Sequence, residues 1–295
     1  MPDLRQRLAA PGVIVMDGAT GTQLQAMGLP RGNAPEGWNL ENPDGVKSHY
    51  QAYVDSGSEA ILTNTFGGSR PMLEKHGLGD RTHEINAAAA RLAREVAGDR
   101  VLVLGSVGPT GMLMDPYGLL TYDDAVKYFA EQARGLVEGG VDGIHVETMS
   151  DLSEAKAAVQ GAQSVTKLPV TATMSFDTNG RTMMGVSPED AAQTLWSLGV
   201  AAVGVNCGRT LDENLAALRA MREALPDAVL IAKPNAGLPR VENGREIVYD
   251  VTPEIMAEYT GRFASYHVKM MGACCGSNPT HIAAISNVLK ERLKE

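Results

Sequence analysis

The side chains best suited to chemistry are the three cysteines of the chain, Cys207, Cys274 and Cys275. Cys207 follows Val203-Gly204-Val205-Asn206 and precedes Gly208, while Cys274 and Cys275 follow Met270-Met271-Gly272-Ala273 and precede Gly276. Both stretches read as apolar strand, cysteine, glycine. Two parallel strands ending at one edge of a sheet would bring the three thiols together, and three thiolates make a zinc site with one exchangeable position. A second reading treats each cysteine as a small buried hydrophobe; it fits the set less well, because all three sit beside glycine at strand ends. Neighbouring side chains of an extended strand point to opposite faces. Cys274 and Cys275 can therefore share one ion only if the chain turns there, which the flanking glycines permit. A disulfide between them is disfavoured, since adjacent Cα atoms lie only about 3.8 Å apart. The spacing matches none of the compact zinc-finger patterns.

Ligand type narrows the chemistry. Three thiolates bring Zn²⁺ to a net negative charge, which suits it poorly to acidifying water. Such a centre is better at holding a substrate thiol as thiolate, because a free thiol with a pKa of about 8.5 is mostly protonated at neutral pH. The expected reaction is attack of that thiolate on an electrophilic carbon. The substrate thiol is then the reacting group, and no further catalytic side chain is assigned.

The elements that must position these residues alternate regularly. Apolar runs at Val13–Met16, Ala60–Thr63, Val101–Gly105, Val141–Val146, Pro169–Met174, Ala201–Val205, Val229–Ala232 and Tyr266–Met271 read as buried parallel strands. Between them lie helical stretches at Pro43–Ser56, 85–96, Tyr122–Glu138, Leu152–Val165 and Leu211–Leu225, with a closing helix at Pro279–Leu293. Ser187-Pro188-Glu189 and Thr252-Pro253-Glu254 open two more, each with a capping hydroxyl, proline in the first turn and an acid near the positive end of the dipole. Eight β-then-α units in 295 residues predict an α/β fold, a single (β/α)₈ TIM barrel, as one domain over residues 1–295. Strand ends of such a barrel converge on one mouth, which collects Asp17, Asn64, Glu147, Cys207, Asn235, Cys274 and Cys275. The long connection at 107–120, with Met112 and Met114, has the length of a lid or binding loop. Trp38, Phe66 and Tyr117 also lie in connections near the mouth. His145 shares the parity of Glu147 and is expected to be a hydrogen-bonded interior histidine rather than a fourth ligand.

Composition excludes several classes. A net charge of −9 argues against nucleic acid or an anionic membrane as partner. No stretch approaches the roughly 20 apolar residues of a membrane span, and the first residues lack the apolar core of a signal peptide. Three cysteines, an odd number, make no disulfide framework. A cytoplasmic protein is expected, with a homo-oligomer left open.

The segments Asn206-Cys207-Gly208 and Gly272-Ala273-Cys274-Cys275-Gly276 resemble the homocysteine S-methyltransferase family, as do Asp17-Gly18-Ala19-Thr20-Gly21-Thr22 and Thr63-Asn64-Thr65-Phe66. Ala273 stands where glycine is more usual. The resemblance runs over nearly the whole chain and implies one zinc per chain, bound by Cys207, Cys274 and Cys275, with homocysteine as methyl acceptor and methionine as product. It carries Asp17 and Glu147 over as contacts of the homocysteine amino group, with Asn64, Thr65 and Asn235 as further substrate-binding positions. The methyl donor is expected to be a small onium compound, of the glycine betaine or S-methylmethionine type, with methylcobalamin on a separate corrinoid protein as the alternative. The chain shows no folate or cobalamin module of its own and no long C-terminal arm, which favours the onium. Pro234-Asn235-Ala236-Gly237-Leu238-Pro239 resembles the homocysteine module of cobalamin-dependent methionine synthase and favours the corrinoid. Outside the family, a barrel metallohydrolase and a non-catalytic thiol-binding protein are the competing readings.

Overall fold

Short apolar segments followed by Asp, Asn, Glu or Cys form the staves of the molecule. The computed structural model describes residues 3–242 and 246–292. Its strands are β1 (Ile14–Val15), β2 (Ala60–Leu62), β3 (Leu102–Val107), β4 (Gly143–Met149), β5 (Val170–Met174), β6 (Ala202–Cys207), β7 (Leu230–Pro234), β8 (Arg240–Glu242), β9 (Glu246–Val248) and β10 (Val268–Met271). Eight of them form one parallel sheet in the order β1-β10-β7-β6-β5-β4-β3-β2. The two ends meet through a parallel bridge between Met16 and Ala60 and a 2.7 Å bond from Glu59 N–H to the Val15 carbonyl. The cylinder so closed is a (β/α)₈ barrel, as the alternation predicts.

Alternate residues divide between two cores. Val203, Val205, Leu230 and Ala232 face outward into the layer of helices, whereas Ala202, Ile231, Leu104 and Met270 fill the barrel. A short helix at Leu4–Ala9, absent from the sequence expectations, inserts fully buried Leu4 into that inner cluster. Above this apolar plug the same inward parity carries polar groups, among them His145 and Glu147 on β4 and Lys233 on β7. The change from apolar to polar along the interior places the site.

The helices begin where their caps require. Ser187 Oγ accepts the Asp190 N–H at 3.1 Å, and Thr252 Oγ1 accepts that of Ile255 at 3.4 Å. Several connections carry short elements that the sequence expectations lack. Residues 29–42 form a 3₁₀ turn at Pro35–Gly37 and one helical turn at Trp38–Glu41, and β8 and β9 form an antiparallel hairpin within the connection after β7. Neither is long enough to show a period in sequence. Leu293, the expected end of the closing helix, lies outside the described residues.

Candidate functional site

Cys207 ends β6 with a left-handed backbone, φ 55°, followed by Gly208 at φ 75°. Asn214 Nδ2 and the Asn235 N–H both bond the Cys207 carbonyl, at 2.7 and 3.3 Å, and fix this turn. After β10 the chain leaves the sheet through bonds from Cys274 N–H to Pro234 (2.8 Å) and from Ser277 N–H back to Cys274 (3.1 Å). Gly276 takes φ 79°, and a Cβ there would fall 2.2 Å from the Tyr249 ring. This tight turn brings adjacent Cys274 and Cys275 to one side. The three Sγ atoms lie within 4.8 Å of one another, with Cys207 and Cys274 at 3.0 Å.

That donor set fits zinc. A tetrahedral centre with bonds of about 2.3 Å separates its sulfurs by about 3.8 Å, inside the range spanned here. All three cysteines are free. Packed together they are coupled: the contacts with its two neighbours lower the Cys275 thiol and push the Cys207 thiol up. A bound zinc ion would hold all three as thiolates. Buried Asn206 leans over the pair with its amide nitrogen 3.6 Å from Cys207 Sγ and 3.9 Å from Cys274 Sγ. Its orientation is held by Thr148, whose N–H donates to Asn206 Oδ1 at 2.8 Å and whose hydroxyl accepts at 2.6 Å.

Beside the sulfurs opens a cavity of about 410 Å³, lined by Thr63, Asn64, Thr65, Ser106, Glu147, Thr148, Lys233 and all three cysteines, with Glu36, Phe66 and His76 also in its wall. Glu147 accepts a 2.5 Å hydrogen bond from Ser106 Oγ, and burial pushes its carboxyl up to about 7 against the pull of Lys233. Asn64 and Thr65 reach the cavity with side chains already engaged. Asn64 Nδ2 donates to the Pro35 carbonyl and to Asn39 Oδ1 at 2.7 and 3.0 Å, and Thr65 Oγ1 donates to the Ser106 carbonyl at 2.7 Å. Asn235 lies outside the lining and donates to Gly208 O at 2.8 Å, leaving its buried Oδ1 without a protein partner.

Asp17 is also outside the lining. It is fully buried, with Oδ1 bonded to Lys233 Nζ and Oδ2 to the Leu62 N–H, both at 2.7 Å. Burial raises the Asp17 carboxyl and opposes the Lys233 ammonium, but the attraction of Asp17 and Glu147 outweighs burial at the lysine and holds its pKa up. The 2.7 Å approach of Lys233 Nζ to Asp17 Oδ1 makes the two an ion pair. Lys233 and Ser106 were not singled out in the sequence. For Lys233 the available signal was a charged residue sharing the inward parity of Ile231 in an otherwise apolar strand.

Other expected residues lie elsewhere. His145 is buried, bonded through Nδ1 to Thr171 Oγ1 at 2.8 Å and lowered to about 3 by desolvation, so it is a neutral interior histidine. Trp38 packs on the outer core, Tyr117 is exposed, and only Phe66 of the three aromatics reaches the cavity. The 107–120 connection does not reach the cavity lining. Glu154 accepts from Thr110 N–H and Oγ1 at 2.8 and 2.6 Å, Met114 is buried, and Met112 does not line the cavity.

Compared with known families, residues 14–289 match the model described as homocysteine S-methyltransferase. The chain belongs to that family. It is 34% identical to the methionine synthase of Mycobacterium tuberculosis over 94% of its own length and 32% identical to that of Mycobacterium leprae over 96%. In each case it spans about a quarter of the relative, 25% of its length. Among solved structures, the metallated homocysteine methyltransferase MmuM from Escherichia coli superposes with a TM-score of 0.81 over 96% of this chain and 99% of that one, at 21% identity. A methyltransferase from Methanosarcina mazei gives 0.64 over 98% and 97%, at 12%. These two likenesses show the fold. Membership bears out the resemblance seen in the motifs and the methyltransferase class it implies. Among the described residues no helix is long and apolar enough to cross a membrane.

Proposed function

We propose that the chain binds homocysteine through its thiol at Cys207, Cys274 and Cys275 and presents it for methylation to methionine. The observation that carries this reading is the meeting of three free sulfurs within 4.8 Å at the wall of a cavity that also holds the Glu147 carboxylate. Zinc bound by the cysteines supplies the Lewis acidity that keeps a substrate thiol deprotonated while leaving electron density on its sulfur. The chain's residues do the positioning. Glu147, once ionised, accepts the α-ammonium, and the cavity wall aligns the sulfur behind the methyl carbon. The sulfur–methyl bond forms as the donor–methyl bond breaks, the donor keeps the bonding pair, and the thiol proton passes to solvent. The unpaired thiols also fit a reducing, cytoplasmic setting.

For the donor we favour a methylcorrinoid carried by another protein over the small onium compound that the absence of extra modules suggested. Onium groups are recognised by aromatic cages, and Phe66 is the single Phe, Tyr or Trp among the described cavity-lining residues. The connections after β3, β5 and β7 expose the large apolar side chains Leu119, Tyr117, Met183 and Val241, surface available to a protein partner. The similarity to methionine synthases four times as long points the same way.

The test is to supply zinc-loaded protein and homocysteine with methylcobalamin, S-methylmethionine or glycine betaine in parallel and to quantify methionine. Methionine from methylcobalamin is expected. Methionine from an onium alone would reassign the donor, a water-derived product would favour a metallohydrolase, and homocysteine bound without turnover by any donor would leave a thiol-binding protein.

A further inference from the structure

One hydroxyl ties the turn that carries Cys274 and Cys275 to the connection after β1. Ser277 is 2% exposed, and its Oγ donates to the Cys274 carbonyl at 2.7 Å while accepting the Ala19 N–H at 3.0 Å. The Ala19 carbonyl in turn accepts the hydroxyl of fully buried Tyr53, on the helix Pro43–Asp55, at 2.8 Å. Gly18 lets both hydroxyls close on the chain, since a Cβ there would fall 2.6 Å from Ser277 Oγ and 2.8 Å from Tyr53 Oη. The strand pairing of β1 with β10 stops at Val15 and Met271. Beyond it the two connections are joined by the Ala273 N–H, bonded to the Asp17 carbonyl at 3.1 Å, and by Ser277.

The joined segments have different tasks. The turn brings two of the three sulfurs, whereas residues 18–22 form part of the cavity wall. Ser277 and Tyr53 themselves neither line the cavity nor supply a ligand atom. Resting on the proposed function, we infer that Ser277, braced by Tyr53 through Ala19, is a positioning residue that holds the metal turn in register with the substrate wall. A thiol on the metal and the body of the same substrate on the wall then bind as one. Removing the Ser277 hydroxyl leaves the buried Ala19 N–H without that partner and frees the wall from the turn. The Cys274 carbonyl keeps its bond from the Ser277 N–H at 3.1 Å, so the turn itself survives.

The experiment compares L-homocysteine with ethanethiol, which offers the metal a thiol but carries neither amino nor carboxyl group. Dissociation constants are measured by calorimetry on zinc-loaded parent, Ser277→Ala, Tyr53→Phe and the double variant, and zinc affinity by competition with a chelator. Ser277→Ala should weaken homocysteine about tenfold, the scale of one hydrogen bond, and leave ethanethiol and zinc within about threefold. Tyr53→Phe keeps the ring and removes only the hydroxyl. It should weaken homocysteine about threefold with the same selectivity, and it carries the test if Ser277→Ala does not fold. Because both residues act through Ala19, the double variant should lose no more than Ser277→Ala alone. Equal losses for the two thiols, a matching loss of zinc, or unchanged homocysteine affinity would overturn the proposal, as would single effects that multiply in the double variant. A parent that binds homocysteine no more tightly than ethanethiol would overturn the function beneath it, whatever the variants do.

Discussion

Cys207 Sγ and Cys274 Sγ lie 3.0 Å apart, although Cys207 ends β6 and Cys274 follows β10, strands that are not neighbours in the sheet. The separation is too long for a disulfide, about 2.0 Å, and shorter than the roughly 3.8 Å edge of a tetrahedral zinc–thiolate centre. Strand β7 lies between them and is bonded to both turns: the Cys274 N–H reaches Pro234, and the Asn235 N–H reaches Cys207. The metal geometry is thus built from backbone, and the sulfurs need separate by less than about 1 Å to take an ion.

Asn206 should tune that centre. Its amide is the donor nearest both sulfurs and is oriented by Thr148. Asn206→Ala should weaken zinc binding by about 10- to 100-fold, the usual effect of losing such an outer partner. Competition with a chromophoric chelator measures this directly; an unchanged affinity would mean that the long N–H···S contacts contribute nothing.

The turn that aligns Cys274 with Cys275 depends on Gly276. An alanine there meets the Tyr249 ring and a φ of 79°, a backbone cost of about 1–2 kcal/mol before the clash is counted. Gly276→Ala should lower the melting temperature and release zinc to a chelator faster than the parent. If both readings match the parent, the turn has more freedom than its geometry implies.

Recognition of the amino group should depend on pH through Glu147. Its carboxyl stands near 7 in the free protein, raised mainly by burial, and the charged form is the one that binds. The preference for homocysteine over 4-mercaptobutanoate, which lacks the ammonium, should therefore be full above pH 7 and decline as pH falls through it. Ser106→Ala removes a bond that lowers this pKa, so the midpoint should move upward and homocysteine affinity drop by about tenfold. A midpoint that does not move would separate Ser106 from Glu147's function.

Acid stability isolates a different group. His49 is buried between Tyr50 and Tyr53 with neither ring nitrogen bonded, and desolvation lowers it to about 3 from 6.5. Because the unfolded chain takes up this proton and the folded one does not, stability is full above pH 6.5 and is lost progressively towards pH 3. His49→Phe in zinc-free protein should gain about 2 kcal/mol on the parent between pH 8 and pH 5. Parallel stability curves for the two proteins would contradict the neutral, unpaired histidine.

The barrel was legible because eight apolar runs carry a period and stop at polar residues, and the cysteines were legible because thiols beside glycines at strand ends are chemically conspicuous. Side-chain pairing was not. Asp17 reads as a strand-end acid like Glu147, and only the three-dimensional approach of Lys233, from a strand more than 200 residues later in the chain (a separation of 216), distinguishes them. Likewise Asn206 reads as part of a cysteine motif, while its hold on Thr148 comes from β4, two strands away in the sheet. Trp38 and Tyr117 were placed near the mouth by their connections, but folding turned one onto the core and the other to solvent.

The central claim is tested most directly at the metal. Purified, reduced protein should contain one zinc per chain, and X-ray absorption should show three sulfur ligands rising to four when homocysteine is added. Zinc bound with no change in its shell on adding homocysteine, or no zinc at all in reduced protein, would contradict it.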